Sequence, residues 1–202
     1  MKILHYVHIL PSSVLLDGTR IELEGSGMEL LSQLYRSYVK DYPKFFKMDL
    51  LCKLGTVASE MLLYGEEKRF VPREDRAVLL FSRSGPLSDD RNYQKTIADG
   101  DYFPSPALFV YTLANIVTGE IAIRNKYEGD TTAFELEDFI PRQIVDAVFE
   151  AFEDRITTSA VCGWAEAVDP ERFEAFMMLV DSNSAEGDDF NAETIERLRN
   201  KQ

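Results

Sequence analysis

Groups able to act as nucleophiles, bases or metal ligands are scarce in this chain, which has two histidines and two cysteines in 202 residues. His5 and His8 lie three apart in an apolar run and fall on opposite faces if it is a strand. Two imidazoles with no cysteine nearby do not make a metal site, so no metal is expected and both read as structural or surface residues. A Ser-His or Cys-His dyad would have to borrow one of them. Cys52 falls on an apolar helical stretch and Cys162 in an apolar strand-like run, neither with a positive neighbour to favour the thiolate. Both read as buried and inert. Glu135, Glu137 and Asp138 cluster where a strand gives way to a helix. Such carboxylates can do acid–base work, but the simpler reading is a cap on the helix that follows. Gly25-Ser-Gly27 begins like a phosphate loop but lacks the third glycine and a strand leading into it; it reads as a turn, and no cofactor is expected. Lys40, Lys44, Lys47 and Lys53, with Arg36, form a locally basic stretch. It is either a solvated face or a dock for an acidic carrier protein.

The whole chain is acidic, with 35 Asp and Glu against 22 Lys and Arg and a net charge of -13. Such a surface repels a phosphate backbone, so nucleic acid is not an expected partner. No apolar run approaches the roughly 20 residues that span a bilayer. The start, MKILHYVHIL, lacks the pattern of a secretion signal, so no membrane association is expected. Two free thiols fit a reducing cytoplasm.

The elements that must position these residues alternate. Ile3 to Leu10 reads as a buried strand, and Val14 to Leu23 as a hairpin turning at Asp17-Gly18. Helices are expected from Met28, over Lys47 to Leu63, from Ser88 to Ala98 with Ser88 as cap, over Leu108 to Ile123, and from Phe139 to Phe152. Ala77 to Phe81, Thr131 to Leu136, Ser159 to Trp164 and Phe173 to Val180 read as strands. After a polar linker, Asn191 caps a last short charged helix. The pattern predicts an α/β layered fold, a mainly parallel mixed sheet flanked by helices. It occupies residues 1–190, with 191–202 as a C-terminal helix or tail.

Several segments resemble the N-terminal half of β-ketoacyl synthases, of the thiolase-like superfamily. They are Lys47-Met-Asp-Leu-Leu-Cys-Lys-Leu-Gly, Phe103-Pro-Ser-Pro-Ala-Leu-Phe-Val-Tyr-Thr-Leu-Ala-Asn, and Gly119-Glu-Ile-Ala-Ile-Arg followed by Gly129, where Asp130 replaces the family's proline. In that family a nucleophilic cysteine stands on a sharp elbow between a strand and a helix. Nine residues beyond Gly129 and twenty-five before Gly163, which resembles a family strand-end glycine, both fall on Asp138. No Cys, Ser or Thr lies between Ala133 and Ile156, so the elbow reads Glu137-Asp138-Phe139.

The resemblance implies a half-length protein without the nucleophile and without the two histidines that the family's C-terminal half supplies. A carboxylate at the elbow opposes the negative charge that condensation must develop. The expectation is a non-catalytic accessory protein of fatty-acid or polyketide-type biosynthesis, similar to chain length factors. It would bind a ketosynthase or acyl carrier protein, as a homodimer or heterodimer joined through the strand before the elbow. A lone half should also expose an apolar face. The rival expectation is a 3-oxoacyl synthase-type acyltransferase, active only with a partner or using Ser105, Thr112 or Cys162.

Overall fold

Strand β4 (Arg76–Ser82) is apolar without interruption because it feeds two cores: Val78 and Leu80 point to one, Ala77, Leu79 and Phe81 to the other. In the computed structural model, which describes all residues except 99, 101 and 202, β4 lies within a sheet ordered β3-β2-β1-β7-β6-β4-β5. The other strands are β1 (Lys2–Leu10), β2 (Ser13–Leu16), β3 (Thr19–Arg20), β5 (Thr131–Glu135), β6 (Ser159–Asp169), β7 (Arg172–Asp181) and β8 (Asp188–Asp189), which pairs with the start of β1. On one face lie α1 (Met28–Leu34), α2 (Leu50–Leu62) and α5 (Ile116–Asn125); on the other lie α6 (Pro141–Ala151) and α7 (Ala192–Arg199). α3 (Leu87–Lys95) and α4 (Pro106–Tyr111) pack together beyond the end of β4.

The layered mixed sheet agrees with the sequence, but its proportions do not. Among the named strands of the described residues only β4–β5 and β4–β6 pair in parallel; the other strand pairs are antiparallel. The reason is connection length: β6–β7 and β1–β2 are joined by tight hairpins, which only antiparallel neighbours can use. The expected helix over Leu108 to Ile123 is two helices. The Thr112 hydroxyl donates to Phe109 O at 2.7 Å where α4 ends, offering the chain a local alternative to helix. α3 starts behind Pro86, so Ser88 is not its cap. α2 is capped by Asp49, whose carboxylate accepts from Leu51 N at 3.1 Å and Cys52 N at 3.0 Å. Asn191 caps α7 as expected, accepting from Thr194 N at 2.9 Å.

Gly163 sits inside β6, not at a strand end. Its φ is 145°, and a Cβ there would come within 2.3 Å of Phe176 O. The close approach of β7 therefore demands glycine.

Helix α7 is part of the core. Ile195 and Leu198 are fully buried and pack, with Phe190, against the cluster that holds Ile144 and Val148 of α6. The sheet face that carries α6 is therefore covered by the chain's own C-terminal helix. Exposed apolar residues concentrate elsewhere, at Tyr102, Phe103, Phe109, Val110 and Leu113 around α4. No helix among the described residues is long and apolar enough to cross a membrane.

Candidate functional site

β5 ends at Glu135 and α6 begins at Pro141, so five residues, 136–140, connect them. None of the five has a positive φ. The expected sharp elbow is thus an open loop. α6 takes Ile140 as its N-cap without a side-chain bond, so the acidic cluster does not cap it, and Pro141 supplies the helical φ instead. Asp138 is exposed, and its Oδ1 accepts from Phe139 N at 2.8 Å. Glu137 points to the side, toward Arg83 and Glu135.

Asp138 and Phe139 stand at the mouth of a cavity of about 530 Å³, lying beyond the C-terminal end of β4. This is where open α/β sheets place ligands. Its charged groups are mostly spoken for. Glu166 on β6 accepts from Ser82 Oγ at 3.0 Å, Arg83 N at 2.9 Å, Ser84 N at 3.2 Å and the Ser84 hydroxyl. Glu174 on β7 accepts from His8 Nε2 at 2.9 Å and, in a two-pronged contact, from Arg199 Nε and Nη2, each at 2.7 Å. Burial alone would raise the Glu174 carboxyl, but the His8 and Arg199 bonds override it and hold it down to about 2. The Arg199 guanidinium also lies 4.1 Å from the Phe139 ring centroid. Phe139 in turn meets Trp164 edge-to-face at 5.8 Å. Phe139 is therefore clamped between β6 and the C-terminal helix.

The groups that could replace a missing nucleophile are placed for structure. Cys162 is fully buried in β6, and burial pushes its thiol up to about 12. Cys52, on the opposite face, is raised well above its ordinary value by burial and by the Asp49 carboxylate. Ser105 caps α4 by accepting from Leu108 N at 3.4 Å, and Thr112 is engaged with Phe109 O. His5 pairs with Asp17 at 2.7 Å, in a different place from the His8–Glu174 pair. Among the described residues no group of His, Cys, Asp and Glu is arranged to hold a metal ion.

The lysines do not share one helix face. Lys40 follows a π-helical turn at φ 62° and lies over the Tyr64 ring at 5.8 Å. Lys44 and Lys47 sit on a 3₁₀ turn, where Lys44 is bound to the buried Glu120 at 2.6 Å. Lys53, on α2, is half-buried beside Asp49, and burial lowers its pKa. Lys40 and Lys47 are left as the exposed cations of the set with no carboxylate against them among the described residues.

Sequence reading missed Arg83, Glu166, Glu174 and Arg199. Their contacts join residues 25 to 166 apart in the chain, so no local spacing marks them.

No protein-family model matches the chain, and no curated protein matches it. Solved structures do. The chain is similar to the ishigamide ketosynthase/chain length factor, with a TM-score of 0.66 at 15% identity, over 92% of this chain and 63% of that one. It is similar to a structure of a ketosynthase in complex with its chain length factor from Xenorhabdus doucetiae, with a TM-score of 0.60 at 14% identity, over 100% of this chain and 93% of that one. A third similar structure, a type II polyketide acyl-carrier protein in complex with its ketosynthase, has a TM-score of 0.58 at 11% identity, over 90% of this chain and 62% of that one. The chain thus spans under two thirds of the first and third neighbours and nearly all of the second. At these identities the likeness is one of fold: the chain has the thiolase-like fold of these ketosynthase structures.

Proposed function

We propose that this chain is a non-catalytic, chain-length-factor-like partner of a ketosynthase in polyketide or fatty-acid-type synthesis. The observation that carries the reading is the elbow itself. Its loop offers an exposed carboxylate, Asp138, and no thiol or hydroxyl. The chain's two thiols are buried with pKa values raised away from the reactive form. Decarboxylative condensation needs an acyl acceptor and donors for a developing oxyanion, and negative charge at that position works against both.

The surface supports partner binding. Among the described residues β5 pairs only with β4, which leaves one edge of the sheet open next to the elbow. α4 presents Phe109 and Val110, with Leu113 just beyond it, and Phe103 80% and Tyr102 73% exposed before it. Apolar side chains grouped in this way mark an interaction surface. One of the similar structures, whose matched chain has nearly this length, is a complex of a ketosynthase with its chain length factor. Lys47 and Lys40 remain the candidates for contact with an acyl carrier protein, beside Lys44 and Lys53.

The test is intact mass after incubation with acyl carrier protein thioesters, alongside an active ketosynthase. The expected outcome is no mass increase on this chain while the control is acylated. An increase equal to the acyl group would instead favour the acyltransferase reading and direct attention to Cys162, Ser105 and Thr112.

A further inference from the structure

A second cavity, of about 390 Å³, opens between the β2–β3 hairpin and the end of α7. It shares Leu10 and Arg199 with the elbow cavity but differs from it in charge. Asp138, Glu166 and Glu174 line the elbow cavity beside four arginines; among the described residues no carboxylate lines this one. Its polar groups include His8, Arg20, Arg199 and Lys201, and Leu10 and Leu15 form its apolar part. Four basic groups around one hollow stand out in a chain with a net charge of -13.

The ring of His8 is the centre of the argument. It is 8% exposed, and its Nε2 bonds Glu174. The ring's other nitrogen, Nδ1, has no protein partner among the described residues. An imidazolium whose Nε2 donates to a carboxylate has its Nδ1–H free for a second acceptor. Glu174 also carries Arg199 on its oxygens, so their charges cancel. That leaves Arg20 on β3 and Lys201 beyond α7 with no carboxylate against them among the described residues, beside the open Nδ1 of His8. The charged groups facing His8 are then Glu174 from β7, Arg199 and Lys201 from the C-terminal segment, and Arg20 from the hairpin.

We propose that this cavity is an anion-binding site, distinct from the elbow, that takes a compact oxyanion, carboxylate or phosphate, between His8 Nδ1, Arg20 and Lys201. An apolar stem on that anion would lie against Leu10 and Leu15.

The experiment is NMR of the imidazole rings, which needs no elaborate assignment in a chain with two histidines. Inorganic phosphate and hexanoate are titrated separately at constant ionic strength near pH 6. The expected result is a saturable shift of the His8 signals, with His5, which is paired to Asp17 outside the cavity, unmoved. Saturation by phosphate alone identifies a phosphoryl ligand; saturation by hexanoate alone identifies a carboxylate on an apolar stem. Removing one charge-assisted partner by R20A or K201A should weaken the binding about tenfold. Both residues are exposed, so the variants keep the fold. A linear shift, equal movement of both histidines, or unchanged affinity in the R20A/K201A double variant overturns the proposal.

Discussion

The proposed function rests on Asp138, exposed in the loop between β5 and α6, with its Oδ1 accepting from the next backbone N–H. A second carboxylate, Asp89, shows the cost of burial. It is 5% exposed, its Oδ2 has no partner among the described residues, and burial, with Asp49 and Asp90 nearby, raises its pKa to about 6. A raised folded value means that the ionised form is disfavoured by folding. The stability linked to its proton is full below the ordinary value of 3.8 and is lost as pH rises through about 6. Asp89→Asn is therefore expected to stabilise the protein by about 1–2 kcal/mol at pH 8, allowing for the lost helix N-terminal charge interaction. The gain should vanish below the ordinary carboxylate pKa. Urea midpoints at pH 8 and pH 4 check this; an equal change at both would show that the carboxyl's charge is not the cause.

Among the elements, β5 carries the prediction about assembly. Asp130 O accepts from Val78 N and Leu136 N donates to Ser82 O. The even-numbered residues of β5 therefore bond β4, and the Ala133 N–H points to the open edge. Proline is tolerated at such a position and removes the donor a partner strand needs. Ala133→Pro should leave the melting temperature of the isolated chain nearly unchanged and abolish co-elution with a ketosynthase partner in size-exclusion chromatography with light scattering. Retained co-elution would move the interface to α4. The elements also show where sequence patterns mislead. The apolar spacing from Leu108 to Ile123 is helical throughout, yet the chain breaks at Thr112, because a hydroxyl bonding its own turn leaves no mark in hydrophobic periodicity. The lysines from Lys40 to Lys53 look like one basic stripe in sequence and are divided among a turn, a 3₁₀ segment and α2.

For the whole molecule, the tail helix is the unexpected part. α7 lies on the same sheet face as α6, where Phe190, Ile195 and Leu198 are buried. Each such side chain contributes about 1.5–3 kcal/mol of burial, so together they rival the roughly 5–15 kcal/mol by which domains are stable. Removing residues 190–202 should give a chain that binds a hydrophobic dye and unfolds without a cooperative transition. A sharp thermal transition in the truncated chain would show that α7 is dispensable.

Much of the architecture was determined by local sequence. The unbroken apolar runs at β4, β6 and β7, the Asp17-Gly18 turn, the spacing of leucines along α2 and the Asn191 cap all lie within a few residues, and each forms where the pattern places it. That no Cys, Ser or Thr stands in residues 134–155 was legible for the same reason, since an absence needs no partner to be read. Tertiary structure alone decided the rest. Whether neighbouring strands run parallel depends on which pair across the sheet, and most pairings proved antiparallel. The basic cavity and the Arg199 clamp on Glu174 and Phe139 join β1, β3, β7, α7 and the elbow loop. Their members lie far apart in the chain, and side-chain charge and hydrogen bonding act through space, so only the fold could bring them together.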